Sequence, residues 1–157
     1  MKRSPELAAL SRDHHQALEA ALRLRRATDE TLEAAVEHFR SFWSRQGERH
    51  FVIEERLVLP ALSDDDAEWI AATRRVREEH GEIRVGAASL ARTSSVVAAR
   101  GLGELLRAHV RFEERTLFPL VEQRLSHSAL ADLGRALADA ERLTATGAAV
   151  TRCCGGS

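Results

Sequence analysis

Residues 50–60 (HFVIEERLVLP) and 109–119 (HVRFEERTLFP) share one pattern, H-x3-E-E-R-x3-P, and lie 59 positions apart. No other feature of the chain constrains its fold as tightly. A histidine and a glutamate four positions apart share one face of an α-helix. Each pair sits inside an apolar stripe of helical period. The first stripe is Leu32, Val36, Phe39, Trp43, His50, Glu54, Leu57 and Ala61; the second is Leu102, Leu106, His109, Glu113, Leu117 and Leu120. Stripes of this kind turn inward, so two carboxylates and two imidazoles are expected inside a helical protein.

The rest of the chain reads the same way. A first helix is expected over about residues 5–26, opened by Ser4 and Pro5. Thr28 is the expected cap of a second helix that runs to Pro60, with Gly47 loosening its middle. Ser63-Asp64-Asp65-Asp66 predicts the next start, with Ser63 as cap and acids in the first turn. That third helix carries Trp69, Val76, His80, Ile83, Ala87 and Leu90 on one stripe. Thr93, Ser94 and Ser95 break the pattern before a fourth helix, whose start Gly101 and Gly103 weaken and which Pro119 kinks or ends. Leu130, Leu133 and Leu137 mark a short fifth helix. Short connections place neighbouring helices antiparallel. The expected architecture is all-α: one domain over residues 1–145, an antiparallel up-down-up-down four-helix bundle with a short C-terminal fifth helix. Residues 146–157, ending CCGGS, are expected to be a disordered tail.

Composition narrows the function classes. A chain of 157 residues can bury a sizeable core without disulfides. Its 23 basic and 24 acidic residues nearly cancel, which argues against nucleic acid or an anionic membrane as partner. No apolar run is long enough to span a membrane, and no apolar segment follows the basic start, so neither a membrane anchor nor a signal peptide is expected. The only cysteines, Cys153 and Cys154, are adjacent. A cytoplasmic location is the default expectation.

The preceding helices echo each other as well. Arg12-Asp13-His14-His15 resembles Arg77-Glu78-Glu79-His80, and Leu18 and Ile83 each follow the last histidine of their segment by three positions. The chain therefore reads as two helical hairpins of one design. A buried, uncompensated carboxylate costs several kcal/mol. Two of them, with imidazoles one turn away, call for a cation; imidazole and carboxylate together suit iron, manganese or zinc. Four histidines and two carboxylates exceed the needs of one tetrahedral zinc and suit two six-coordinate ions. His38 and His127 lie off the stripes and are expected to face solvent. Glu55 and Glu114 are expected to pair with surface arginines.

Taken together, DHHQAL, HFVIEERLVLPAL, EEHGEI and HVRFEERTLFPLVE resemble the four metal-bearing helices of the hemerythrin-like (HHE cation-binding) domain family. The resemblance covers about residues 10–125. It implies a non-haem di-iron centre inside a four-helix bundle, with Glu54 and Glu113 bridging the irons. His15 and His50 would bind one iron, and His80 and His109 the other. On the first helix His15 is favoured because it keeps the apolar spacing seen at His80; His14, nearer Leu7, Leu10 and Ala21, stays open as the alternative. The chain departs from the oxygen-carrying members at two places. Val76 stands where they place a fifth histidine, and His109-x3-Glu113 replaces their His-x4-Asp. By that pattern, four imidazoles, two bridging carboxylates and a bridging oxo or hydroxo group leave one open position on each iron.

The implied function is a non-haem di-iron protein that binds or senses dioxygen, nitric oxide or peroxide. The alternatives are an oxidoreductase detoxifying nitric oxide or peroxide, served by an unidentified redox partner, and an iron-storage or iron-centre repair protein. Whether the protein turns over as an enzyme stays open at this level.

Overall fold

The structure, a computed structural model, describes residues 4–61 and 66–145, and every regular element among them is helical. The expected tail over 146–157 and the Ser63 cap lie outside the described residues. Helix α1 spans Ala8–Arg25, after a 3-10 turn at Pro5–Leu7 that has Pro5 in its first turn. Helix α2 spans Leu32–Phe42 and continues through a π turn, Trp43–Gly47, into α3, Glu48–Ile53. A second π turn, Glu54–Val58, and a 3-10 turn, Leu59–Ala61, end that rod at Pro60. Helix α4 spans Ala67–Arg92 and α5 spans Val96–Phe112. A third π turn, Glu113–Leu117, leads into α6, Phe118–Arg124, and α7 spans His127–Ala145.

Several helix ends differ from the sequence expectation for local reasons. Helix α2 starts at Leu32 with Thr31 at its cap, because Thr28 is spent in the preceding turn, where its N–H donates to the Thr31 hydroxyl (2.9 Å). Asp66 caps α4, accepting from the N–H groups of Glu68 (2.9 Å) and Trp69 (3.2 Å). Ser95, the last residue of the polar break, caps α5 by accepting from the Ala98 N–H (3.1 Å). Pro119 does not end its helix. It falls in the first turn of α6, where a missing N–H costs nothing, and the helix runs on to Arg124.

Helix α1 packs on α5 and α2, α4 packs on α5, and α7 lies against the 3-10 turn at Pro5–Leu7 and the π turn at Glu54–Val58. Two apolar clusters fill the interior. One holds Ala17, Ala21 and Leu24 of α1, Phe39 and Phe42 of α2, Phe51 of α3, Ile83 and Leu90 of α4, and Leu102 and Leu106 of α5. The other holds Leu10, Val58, Trp69, Val76, Leu117, Phe118 and Val121, with Leu130, Leu133 and Leu137 of α7 closing it. On α1 His14 lies between residues of the two clusters, Leu10 and Ala17, and on α4 His80 lies between Val76 and Ile83.

The buried face of α1 reads Leu7, Leu10, His14, Ala17, Ala21 and Leu24, in steps of three and four. Leu18 and Leu22 are partly exposed, 37% and 38%. Leu18 and Leu22 thus mark the outer side, and between Leu10 and Leu24 the inner side carries His14, Ala17, Ala20 and Ala21. Small residues are needed there because α5 approaches closely at Gly103. A Cβ on Gly103 would stand 2.7 Å from the Ala21 carbonyl oxygen and 2.9 Å from the Arg25 nitrogen, whereas one on Gly101 meets nothing within 4 Å.

This contrast yields a paired expectation. Gly103→Ala forces α1 and α5 apart and should lower stability by about 1–3 kcal/mol. Gly101→Ala, in the same helix but facing open space, should raise it by roughly 0.5–1 kcal/mol. Denaturant unfolding of the two variants beside the parent checks both signs.

Candidate metal centre

Six side chains meet between the two apolar clusters: His14 of α1, His50 of α3, Glu54 and Glu113 at the first positions of two π turns, His80 of α4 and His109 of α5. All six are buried, and Glu54, His80, His109 and Glu113 are 0% exposed. They form two groups. One is His14, His50, Glu54 and Glu113; the other is Glu54, His80, His109 and Glu113. Both carboxylates belong to both groups, so each stands between two sets of imidazoles.

Of the six residues singled out in the sequence, the structure brings His50, Glu54, His80, His109 and Glu113 together and places His14, not His15, beside them. His15 lies on the exposed side of α1, its ring nitrogen 3.1 Å from the Ser11 carbonyl oxygen. His14 takes the inward place. The reason is the alanine face just described: the packing surface of α1 is set by small residues against α5, and His15 follows the outward leucines. The two hairpins therefore match as Asp13-His14 with Glu79-His80, one register away from the match suggested by Leu18 and Ile83. His127 is exposed, and His38 is half-buried away from the centre, 3.9 Å from Glu19.

Each of the four imidazoles is braced from behind by a carboxylate. His14 Nδ1 donates to Glu114 Oε1 (2.6 Å), His80 Nδ1 to Glu55 Oε1 (2.8 Å), His109 Nδ1 to Glu79 Oε2 (3.0 Å), and His50 Nδ1 to Asp13 Oδ2 (3.3 Å). An ionised carboxylate only accepts, so each Nδ1 carries the proton and each Nε2 points to the centre. These braces orient a ligating imidazole and raise its basicity. They explain the acidic doublets. Successive side chains on a helix diverge by about 100°, so Glu54 and Glu113 face the centre while Glu55 and Glu114 reach sideways to the neighbouring helix. Asp13 and Glu79, each just before an inward histidine, do the same for the second histidine of their own hairpin. Glu55 also holds Arg84 (2.7 Å), so the expected arginine pairing exists there beside the brace.

The centre itself is short of partners. Among the described residues, neither oxygen of Glu54 or Glu113 has a well-formed hydrogen bond, and neither has Nε2 of His80 or of His109. His14 Nε2 stands 3.1 Å from Glu113 Oε2 and 3.1 Å from His50 Nε2; His50 Nε2 is 3.2 Å from Glu54 Oε1, and His109 Nε2 is 3.2 Å from Glu113 Oε1. Buried polar atoms are seldom left without partners, and a set of lone pairs converging on one point is what a cation requires. The donor set, four imidazole nitrogens and two shared carboxylates, fits metal ions such as iron, manganese or zinc.

The π turns contribute to this geometry. The Leu59 N–H bonds back to the Glu54 carbonyl, and the Phe118 N–H to the Glu113 carbonyl. Each wide turn inserts an extra residue directly after an inward glutamate and shifts the buried face, so that Val58 and Leu59 point inward while Leu57 is only partly buried. Val76, one turn before His80, is 0% exposed and packs in the second apolar cluster. It offers no ligand atom.

Without an ion, three of the imidazoles, His14, His50 and His80, and the two carboxylates hold each other charged. Burial pushes the His50 imidazolium down, but the Glu54 carboxylate and then Asp13 overcome it and lift the pKa to about 10. Burial likewise opposes the charge on His14 and His80, and the glutamates beside each raise it to about 9. Burial works against the Glu54 carboxylate, yet His50 and His80 hold it well below its ordinary range. Burial and Glu54 both raise Glu113, and the surrounding imidazoles still bring it below its ordinary value. The signs follow by linkage. Histidines raised above 6.5 contribute stability that is complete below that pH and is lost as pH rises through about 9 to 10. Carboxylates depressed below 4.5 contribute stability that is present above that pH and is lost as pH falls further. Chelator-treated protein should thus be most stable between about pH 4.5 and 6.5 and melt progressively lower towards pH 10. Thermal melts across that range check it.

A family model for the hemerythrin HHE cation-binding domain matches residues 7–121, which include all six inward residues and all four bracing carboxylates. No curated protein and no solved structure matches the chain. Over that span the chain belongs to the hemerythrin HHE cation-binding domain family.

Proposed function

We propose that this protein holds two iron ions between its helices, each carboxylate shared by both, and uses them to bind or sense dioxygen, nitric oxide or peroxide. The observation that carries the reading is the convergence of four unpartnered carboxylate oxygens and inward Nε2 atoms, with every imidazole braced on its far side. His14 and His50 would hold one ion, and His80 and His109 the other. Glu54 and Glu113 would span the two, with an oxo or hydroxo group completing the bridge. Bound iron would supply the redox and ligand-binding chemistry. The chain's own residues fix the imidazole tautomers, exclude bulk water and limit access.

The order of residues along the rods supports an antiparallel up-down-up-down bundle. Leu10 precedes His14 and Val76 precedes His80 from the second apolar cluster, while Leu106 precedes His109 from the first. A cavity of about 10 Å³, enough for about one water molecule, lies beside His14, His50, His109 and Glu113, among Ala17, Phe42, Gly47, Phe51, Leu106 and Val110. Its size supports a diatomic guest over a bulky substrate. Val76 in place of a fifth imidazole supports a centre open to exchange, suited to sensing or reaction with small molecules. Among the described residues no helix is long and apolar enough to cross a membrane. We place the protein's work in the cytoplasm, with any electron donor a separate molecule.

Elemental analysis after anaerobic iron loading tests the reading. The parent should hold two irons per chain, and a stoichiometry fixed at one zinc would contradict it. Glu54→Ala and Glu113→Ala should each lose both ions, because each carboxylate serves both groups. His14→Gln should lose iron, while His15→Gln and His38→Gln should keep the full complement.

A further inference from the structure

Helix α4 carries two arginines that reach the centre indirectly. Arg84, one turn after His80, donates Nη1 to Glu55 Oε1 (2.7 Å) and Nη2 to Glu55 Oε2 (3.3 Å), and its Nε donates to Glu48 (2.9 Å). Glu55 Oε1 is the same oxygen that accepts from His80 Nδ1 (2.8 Å). Arg75, one turn before Glu79, donates Nε to Glu79 Oε1 (2.7 Å), and the other oxygen of Glu79 accepts from His109 Nδ1 (3.0 Å). Each guanidinium also lies over an aromatic ring: Arg75 over Phe112 at 3.9 Å, and Arg84 over Phe51 at 5.6 Å. Phe51 in turn stacks on the His80 ring, with centroids 3.7 Å apart at 11°.

From this geometry we infer that Arg75 and Arg84 are positioning residues for the ion held by His80 and His109. The inference rests on the two-ion reading above. The physical reason is the rotational freedom of the bracing carboxylates. Glu55 is 29% exposed and Glu79 is 14% exposed, so each has a route to water. A carboxylate that swings out to solvent releases the Nδ1 proton it anchors, and the imidazole then loses its fixed tautomer and direction. The arginine ties the carboxylate down on its outer side. It also draws charge from the carboxylate and so moderates the basicity of the imidazole behind it. An arginine–glutamate pair on a surface is worth little by itself. These two differ because the glutamate is already committed to a buried imidazole. The two chains are also unequal in form. Arg84 grips Glu55 with a two-nitrogen fork, which lysine cannot copy, whereas Arg75 uses one nitrogen, which lysine can replace.

The experiment is metal retention against a competing chelator, read on the iron-loaded full chain, with thermal melting of the metal-free protein as the structural control. Arg75→Met and Arg84→Met should each weaken one of the two ions by about tenfold, near the low end of what loss of an imidazole's support costs, and leave the other at parental affinity. Arg75→Lys should recover nearly all of that loss, and Arg84→Lys only part of it. The metal-free melting temperatures should stay close to the parent's, as should those of Arg23→Met, a remote control that breaks the exposed Arg23–Glu19 pair. Parental affinity for both ions in the methionine variants would overturn the inference while leaving the two-ion reading intact. So would equal weakening of both ions, or a loss that tracks lowered metal-free stability. A parent that never takes up two ions would overturn both.

Discussion

Two carboxylates buried in an apolar interior govern this molecule. Glu54 and Glu113 are wholly buried, and the groups that face their oxygens are the inward imidazoles. A charge in that position costs several kcal/mol unless something positive stands beside it. Everything around them answers that demand. Four imidazoles turn their Nε2 atoms inward, and four further carboxylates hold the outer nitrogens. The π turns allow each glutamate to face the centre while the helix beyond it re-enters the second apolar cluster. A protein with this interior has charges balanced either by imidazolium protons or by metal ions. The two states differ in how stability depends on pH, because an ion takes the place of the protons.

The centre is built in layers of alternating sign. Carboxylates occupy the middle, imidazoles surround them, a second set of carboxylates backs the imidazoles, and on α4 arginines back those in turn. Each layer fixes the one inside it, and burial falls outward along the chain from His80 to Glu55 to Arg84. Precision at the middle therefore depends on side chains that lie near the surface, beyond any list of ligands. The layers also explain why the sequence spends acidic doublets on its helices. In Glu54-Glu55 and in Glu113-Glu114 the first member faces in, and the second crosses to a neighbour.

Much of this was legible in the sequence, because helical spacing and residue type carry it. His50, Glu54, His109 and Glu113 of the doubled motif and His80 of the third-helix stripe are all buried, and the all-helical fold follows from the same period. The error at His15 has a physical origin. Weighting the stripe by hydrophobic size favours Leu18 and Leu22, but the buried face of α1 carries Ala17 and Ala21, and α5 comes close to its backbone at Gly103. The sequence suggests only surface arginines as partners of Glu55 and Glu114, because nothing in a linear pattern shows which neighbouring helix a side chain meets. The repeated acid after each central glutamate, and the acid before His14 and His80, was the available sign. The π turns leave no comparable mark. They appear as a shift of the buried face from Leu57 to Val58, and only the packed structure reveals it.

The central claim is that the two shared carboxylates serve two ions at once. Anomalous X-ray diffraction at the iron edge, on crystals of iron-loaded protein, tests it most directly. Two separate peaks are expected per chain, one beside His14 and His50 and one beside His80 and His109, with Glu54 and Glu113 lying between them. A single peak, or iron bound anywhere other than among these six side chains, would contradict it.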